Sequence, residues 1–149
     1  MTTNVLDLRN GMAASDSRWS TRVGPFFFYV DDTGFDKIIP KNHFVFVFAG
    51  DSALIQEWKD WAENLPVNAH LWPDEERFGR SVAVTLTDTS TGNILFEREQ
   101  IGTAEARFAG SGAGHAYECW MRNFDPIKAV ESAMFIDLCS GGEVKFFGF

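Results

Sequence analysis

The sequence predicts an α+β layered domain, in which antiparallel hairpins pack against helices kept apart from them. Three observations carry this: the element order is strands, helix, strands, two helices, strand; the strands pair across short turn sequences; and helical periodicity is confined to three stretches. At 149 residues, with 45% hydrophobic and 23% charged residues, the chain fits one domain over 1–149 that buries its core without disulfides or metals.

Thr2 to Leu8 and Met12 to Ala14, separated by Arg9-Asn10-Gly11, predict an opening hairpin. Phe26 to Val30 and His43 to Phe48 are the next strands, with Asp31-Asp32-Thr33-Gly34 as the turn chemistry between them and Asp36 to Pro40 on the approach to the second. The runs Phe26-Phe27-Phe28 and Phe44-Val45-Phe46-Val47-Phe48 read as buried strands, being far too short to span a membrane. Leu54, Trp58, Trp61 and Leu65 recur at helical spacing over 52–65 and Pro66 stops them, while 67–80 reads as loop. Ser81 to Leu86 and Asn93 to Glu99 form a hairpin around 88–92. Gly110-Ser111-Gly112-Ala113-Gly114 leads into a helix with Ala113, Ala116, Trp120 and Phe124 on one face. Asp125-Pro126 then supplies an N-cap and first-turn proline for a second helix through Ile127, Val130 and Met134, and Val144 to Phe149 is a final strand.

Composition excludes several classes of function. The net charge of −8 is spread along the chain with no basic tract, which makes nucleic acid and anionic membranes poor partners. Cys119 and Cys139 form neither a disulfide framework nor a zinc signature, so a reducing cytoplasm is the expected compartment. His43, His70 and His115 lack ligand spacing, and no metal or other cofactor is expected. Gly110, Gly112 and Gly114 lack dinucleotide-fingerprint spacing, no phosphate loop occurs, and Ser111 between Ala109 and Ala113 fails the nucleophile-elbow pattern.

The N-terminus carries the chemistry. Once Met1 is removed, Thr2 holds its hydroxyl beside a free amine, and that amine is one base able to take the hydroxyl proton. Taken singly, the other polar residues have plain readings. Asp16 closes a turn, Lys37 is a solvated strand-end lysine, Gly110-Ser111-Gly112 is a strand-to-helix turn, Asp137 and Ser140 end a helix with Gly141 as its C-cap, and Gly50 is a loop glycine.

Four stretches in order, Thr2-Thr3, Ala14-Ser15-Asp16-Ser17-Arg18, Phe35-Asp36-Lys37-Ile38, and the pair Gly110-Ser111-Gly112 with Asp137-Leu138-Cys139-Ser140-Gly141-Gly142, resemble the proteasome β-subunit and HslV peptidase family of N-terminal nucleophile (Ntn) hydrolases. The resemblance implies a four-layer αββα sandwich of two antiparallel sheets flanked by helices. It makes Thr2 the nucleophile of a threonine peptidase, Asp16 and Lys37 the charged pair beneath it, and Ser111, Asp137 and Ser140 the polar surround. The backbone N–H of Gly50 becomes the oxyanion donor, a role suited to a strand end where a helix begins. A lysine cation here would lower the pKa of both amine and hydroxyl, and the aspartate would hold it in place. Peptide or protein substrates, a homo-oligomer and an ATPase partner are implied in the same way. Phe46 and Phe48 share one strand face, which makes Phe48 either the floor of a substrate pocket or a core residue. A non-catalytic binding or assembly module with Met1 retained is the alternative.

Overall fold

The opening hairpin forms where the turn residues place it, with β1 (Asn4–Asp7) antiparallel to β2 (Met12–Ser15). Gly11 at φ 63 makes the turn, and a side chain there would collide with the Phe149 carbonyl. The buried Asp7 carboxylate accepts from the Asn10 backbone N–H at 2.9 Å, its side-chain amide at 2.6 Å and the Trp120 indole at 2.8 Å, tying this hairpin to the helical layer. The computed structural model describes residues 2–32, 34, 36–50 and 82–149. The helix expected over 52–65 and the loop over 67–80 lie outside them.

A strand absent from the sequence reading, β3 (Trp19–Val23), pairs with the expected strand β4 (Phe26–Val30) as a two-stranded ribbon. This corrects one expectation: Phe26–Val30 is not a buried strand, since Phe26 is 64% exposed and Phe28 55%. Consecutive phenylalanines signal strand propensity, whereas burial depends on what packs against the strand.

After the ribbon, β5 (Ile38–Lys41) pairs with β6 (Phe44–Gly50), which pairs with β7 (Val82–Asp88) and through it with β8 (Asn93–Arg98). Pro40 is tolerated because β5 is an edge strand. The short strands β9 (Ile101–Gly102) and β10 (Ala106–Ala109) follow, then α1 (Ala113–Asn123), α2 (Pro126–Ile136) and β11 (Lys145–Gly148). Helix α1 ends on Phe124 in the left-handed conformation, and Asp125 caps α2 by accepting from Ile127 N–H and Lys128 N–H, as its sequence predicts.

Strands β11, β2, β1, β10 and β9 make one antiparallel sheet, and β5 to β8 make the second. The two-residue period sorts the side chains. On one face of the first sheet Val5, Ala14 and Phe108 pack on Trp120 and Val130 of the helices. On its other face Leu6 and Ala13 meet Ile38, Val45 and Val47 of the second sheet. The far side of that second sheet buries Ile39, Phe46, Phe48, Val82, Val84 and Leu86. Packed antiparallel sheets with helices outside are the predicted α+β layers.

Candidate active site

Thr2 is fixed by its neighbours as much as by its own strand. Its carbonyl accepts from Gly112 N–H at 3.4 Å, and a Cβ on Gly110 would lie 1.9 Å from that carbonyl oxygen. A Cβ on Gly112 would lie 1.9 Å from Thr3 Oγ1. The glycines of 110–112 are thus required by close approach of the N-terminal backbone, which the turn reading alone does not supply. The Thr2 hydroxyl donates to Asp16 Oδ1 and accepts from Lys37 Nζ.

Asp16, at the end of β2, is the hub. Its Oδ1 also accepts from Thr3 N–H at 3.0 Å and from Lys37 Nζ at 2.8 Å, while Oδ2 accepts from Gly141 N–H at 2.9 Å and Arg18 N–H at 3.3 Å. So many donors offset the cost of burying this carboxyl group, whose side chain is 0% exposed. Lys37, whose side chain is 1% exposed, makes a further hydrogen bond to the Arg18 carbonyl at 2.6 Å and lies 4.9 Å from the centre of the Trp19 ring. Burial pushes the Lys37 ammonium below its ordinary value of 10.5, and the attraction of Asp16 offsets this only in part. The solvated strand-end reading of Lys37 is therefore excluded.

A second chain of hydrogen bonds borders the first. Ser111 Oγ donates to Asp137 Oδ2 at 2.5 Å, Ser140 Oγ donates to the same oxygen at 2.6 Å, and Ser140 Oγ lies 2.6 Å from Thr3 Oγ1. Asp137 Oδ1 accepts from Cys139 N–H at 3.1 Å, which closes the turn after α2. Ser140 is buried, Ser111 exposed and Asp137 between them, so this chain runs from the surface to the N-terminal segment.

Gly50 ends β6 with φ 127, a value open to glycine, at the same end of the sheet as Lys37, whose carbonyl accepts from Phe48 N–H at 2.8 Å. The Phe48 carbonyl accepts from the Asn4 side-chain amide at 2.5 Å, joining β6 to β1 beside Thr3. The Phe48 ring is 0% exposed and stacks on Phe46 with centroids 5.8 Å apart, which makes it a core side chain.

The structure thus brings Thr2, Asp16 and Lys37 into direct contact and sets Ser111, Asp137 and Ser140 beside them. Sequence reasoning assigned no role to Thr3, Arg18, Trp19 or Asp31. Thr3 and Arg18 stand inside the quoted motifs, where their proximity was legible. Asp31 read as turn chemistry, yet it accepts both Arg18 Nε at 2.8 Å and Nη2 at 3.0 Å.

No protein-family profile and no curated protein sequence matches the chain. Solved structures do. BPH from Thiobacillus denitrificans in complex with epoxomicin is similar at a TM-score of 0.64 and 16% identity, covering 99% of this chain and 98% of that one. Eukaryotic HslV from Trypanosoma brucei is similar at a TM-score of 0.62 and 16% identity, covering 99% and 100%. The Anbu (Gly-1) mutant from Hyphomicrobium sp. strain MC1 is similar at a TM-score of 0.63 and 14% identity, covering 100% and 81%. Likeness at such identity establishes architecture, and here it extends over nearly the whole chain. The chain has the Ntn-hydrolase fold of the HslV-like and proteasome-like proteins.

Proposed function

We propose that the protein is an N-terminal threonine hydrolase of amide bonds, with peptides as its substrates, in which Thr2 acts after Met1 is removed. The observation that carries this reading is Lys37 Nζ touching the Thr2 hydroxyl at a buried site that disfavours the ammonium form. Lys37 rests as the ammonium paired with Asp16, and the neutral form that burial makes more accessible has two N–H donors and one lone pair. The donors match Asp16 Oδ1 at 2.8 Å and the Arg18 carbonyl at 2.6 Å, which leaves the lone pair for the Thr2 proton once the hydroxyl turns from Asp16 Oδ1 toward Lys37. After the transfer, three N–H donors face Asp16, the Arg18 carbonyl and the Thr2 oxygen, so the charge forms where its partners already stand.

Thr2 Oγ1 then attacks the amide carbonyl, the carbon–nitrogen bond breaks, and the amine leaves with a proton while an ester forms on Thr2. Water hydrolyses the ester. The freed α-amine, with an ordinary pKa near 8, gives a proton to the leaving amine and regains one from the water, and Lys37 returns its proton to the Thr2 oxygen as the ester breaks. Gly50 N–H serves the developing oxyanion, and the Ser111–Asp137–Ser140 chain orients the N-terminal segment. The same reading expects a homo-oligomer in the cytoplasm.

Turnover of fluorogenic peptides tests it. Thr2→Ser retains hydrolysis and Thr2→Ala abolishes it; equal rates for wild type and Thr2→Ala would overturn the proposal. One observation favours the alternative, a non-catalytic binding or assembly module: Thr2 is 1% exposed. That alternative expects the protein's biological activity to survive Thr2→Ala.

A further inference from the structure

We propose that Arg18 is a positioning residue of the Thr2 centre, acting as a clamp that sets the Asp137–Gly142 segment against Asp16 while its own backbone holds Lys37. The inference rests on the reading of Thr2 as the nucleophile. Arg18 is the residue before β3 and Asp31 the residue after β4, so their ion pair continues the Trp19–Val30 pairing one step past the base of the exposed ribbon. The pair is bidentate, with Nε and Nη2 on the two carboxylate oxygens, and the guanidinium lies 3.9 Å from the centre of the Tyr29 ring. These contacts fix its plane.

The remaining arm reaches the catalytic segment. Arg18 Nη1 donates to the Leu138 carbonyl at 3.0 Å, and the guanidinium lies so close over Gly141 that a Cβ there would come within 2.4 Å of its central carbon. Gly141 is the residue whose N–H reaches Asp16 Oδ2 at 2.9 Å. Ser140, one residue earlier, is the one whose hydroxyl meets Thr3 Oγ1. Meanwhile Arg18 N–H binds Asp16 and its carbonyl accepts from Lys37 Nζ. One residue therefore touches both members of the charged pair through its backbone and the opposing loop through its side chain.

A neighbouring contact reinforces the clamp. Asp32 adopts the left-handed conformation at φ 56, rare for a residue with a side chain, and there its Oδ1 accepts from Ser17 Oγ and Glu143 N–H, both at 2.8 Å. A Cβ on Gly142 would lie 2.9 Å from Ser17 Oγ and 3.0 Å from that oxygen. Gly141 and Gly142 are thus the two positions where the clamp residues press on bare backbone. Small displacements of such a segment are costly, since misplacement by roughly an ångström lowers rates by about a hundredfold.

The experiment measures steady-state peptide hydrolysis and its pH dependence for wild type, Arg18→Met, Arg18→Lys and Asp31→Asn, with folding checked by urea denaturation. Wild-type turnover that depends on Thr2 is the control, and its absence refutes the nucleophile reading itself. Given that control, Arg18→Met is expected to lower kcat by about ten- to a hundredfold with KM within about twofold, and to displace the pH–rate profile because the Asp16–Lys37 surroundings change. Arg18→Lys keeps the charge but loses the fork, and is expected to recover only a small part of kcat. Asp31→Asn preserves shape and is expected to show the same pH displacement with a smaller loss, and it decides the matter if Arg18→Met does not fold. An unchanged kcat in folded Arg18→Met or Asp31→Asn would overturn the proposal. So would a loss of kcat with an unmoved pH profile, or full recovery in Arg18→Lys.

Discussion

The two halves of the buried ion pair should not be equally replaceable. Asp16 receives donors from Thr2, Thr3, Lys37, Arg18 and Gly141, so Lys37→Met removes one donor and leaves the carboxylate with four. The substitution also relieves the burial of an amine. A cost of about 1–2 kcal/mol follows, below the 3–5 kcal/mol typical of breaking a buried pair. Asp16→Asn is different. Its amide must point its NH₂ either at the Thr2, Thr3 and Lys37 donors or at the Gly141 and Arg18 N–H groups, and Lys37 loses its counter-charge while still buried. Even the better orientation leaves two backbone N–H groups facing a donor, and the expected cost is about 3–5 kcal/mol. Urea denaturation at neutral pH reads the difference as midpoints about 1 M apart, with Asp16→Asn the less stable. A Lys37→Met protein as destabilised as Asp16→Asn, or more so, would refute this account of how Asp16 is held.

Three further outcomes follow from the geometry. Gly112→Ala places a methyl group 1.9 Å from Thr3 Oγ1 and is expected to cost at least about 2 kcal/mol in urea denaturation and to weaken Thr2 labelling. Because the folded-state pKa of Lys37 is lowered, the unfolded chain binds more protons between that lowered value and 10.5; stability therefore rises with pH across this window, a rise that Lys37→Met removes. Phe48→Ala is expected to cost about 3–5 kcal/mol because the ring is fully buried, whereas Phe26→Ser on the exposed ribbon should stay within about 0.5 kcal/mol; thermal or urea melts of the two variants check the contrast.

Elements with local signatures were legible in the sequence. Arg9-Asn10-Gly11 specified the first turn, Asp125-Pro126 the start of α2, and the helical period of Ala113, Ala116 and Trp120 the buried face of α1. Strand β3 was not, because Ser20 and Arg22 interrupt its apolar character and its partner is supplied by the neighbouring run. β9 and β10 are short pieces completed by pairing with β1 and each other, which no local pattern encodes. Exposure of Phe26 and Phe28 is a tertiary property as well. At the site, Thr2, Asp16 and Lys37 are far apart in sequence and were grouped by family resemblance, not by spacing. The partnership of Arg18 with Asp31 had no sequence signal beyond a common turn residue, since it depends on how the ribbon's two ends meet.

The central claim is that Thr2 becomes a free N-terminal nucleophile. Protein from its native host, treated with an electrophile selective for N-terminal threonine and mapped by peptide mass spectrometry, tests this most directly. The account predicts an N-terminal peptide beginning at Thr2 and carrying the adduct, with the adduct lost in Lys37→Met. An N-terminal peptide that retains Met1 throughout, or a processed Thr2 that stays unmodified, would contradict it.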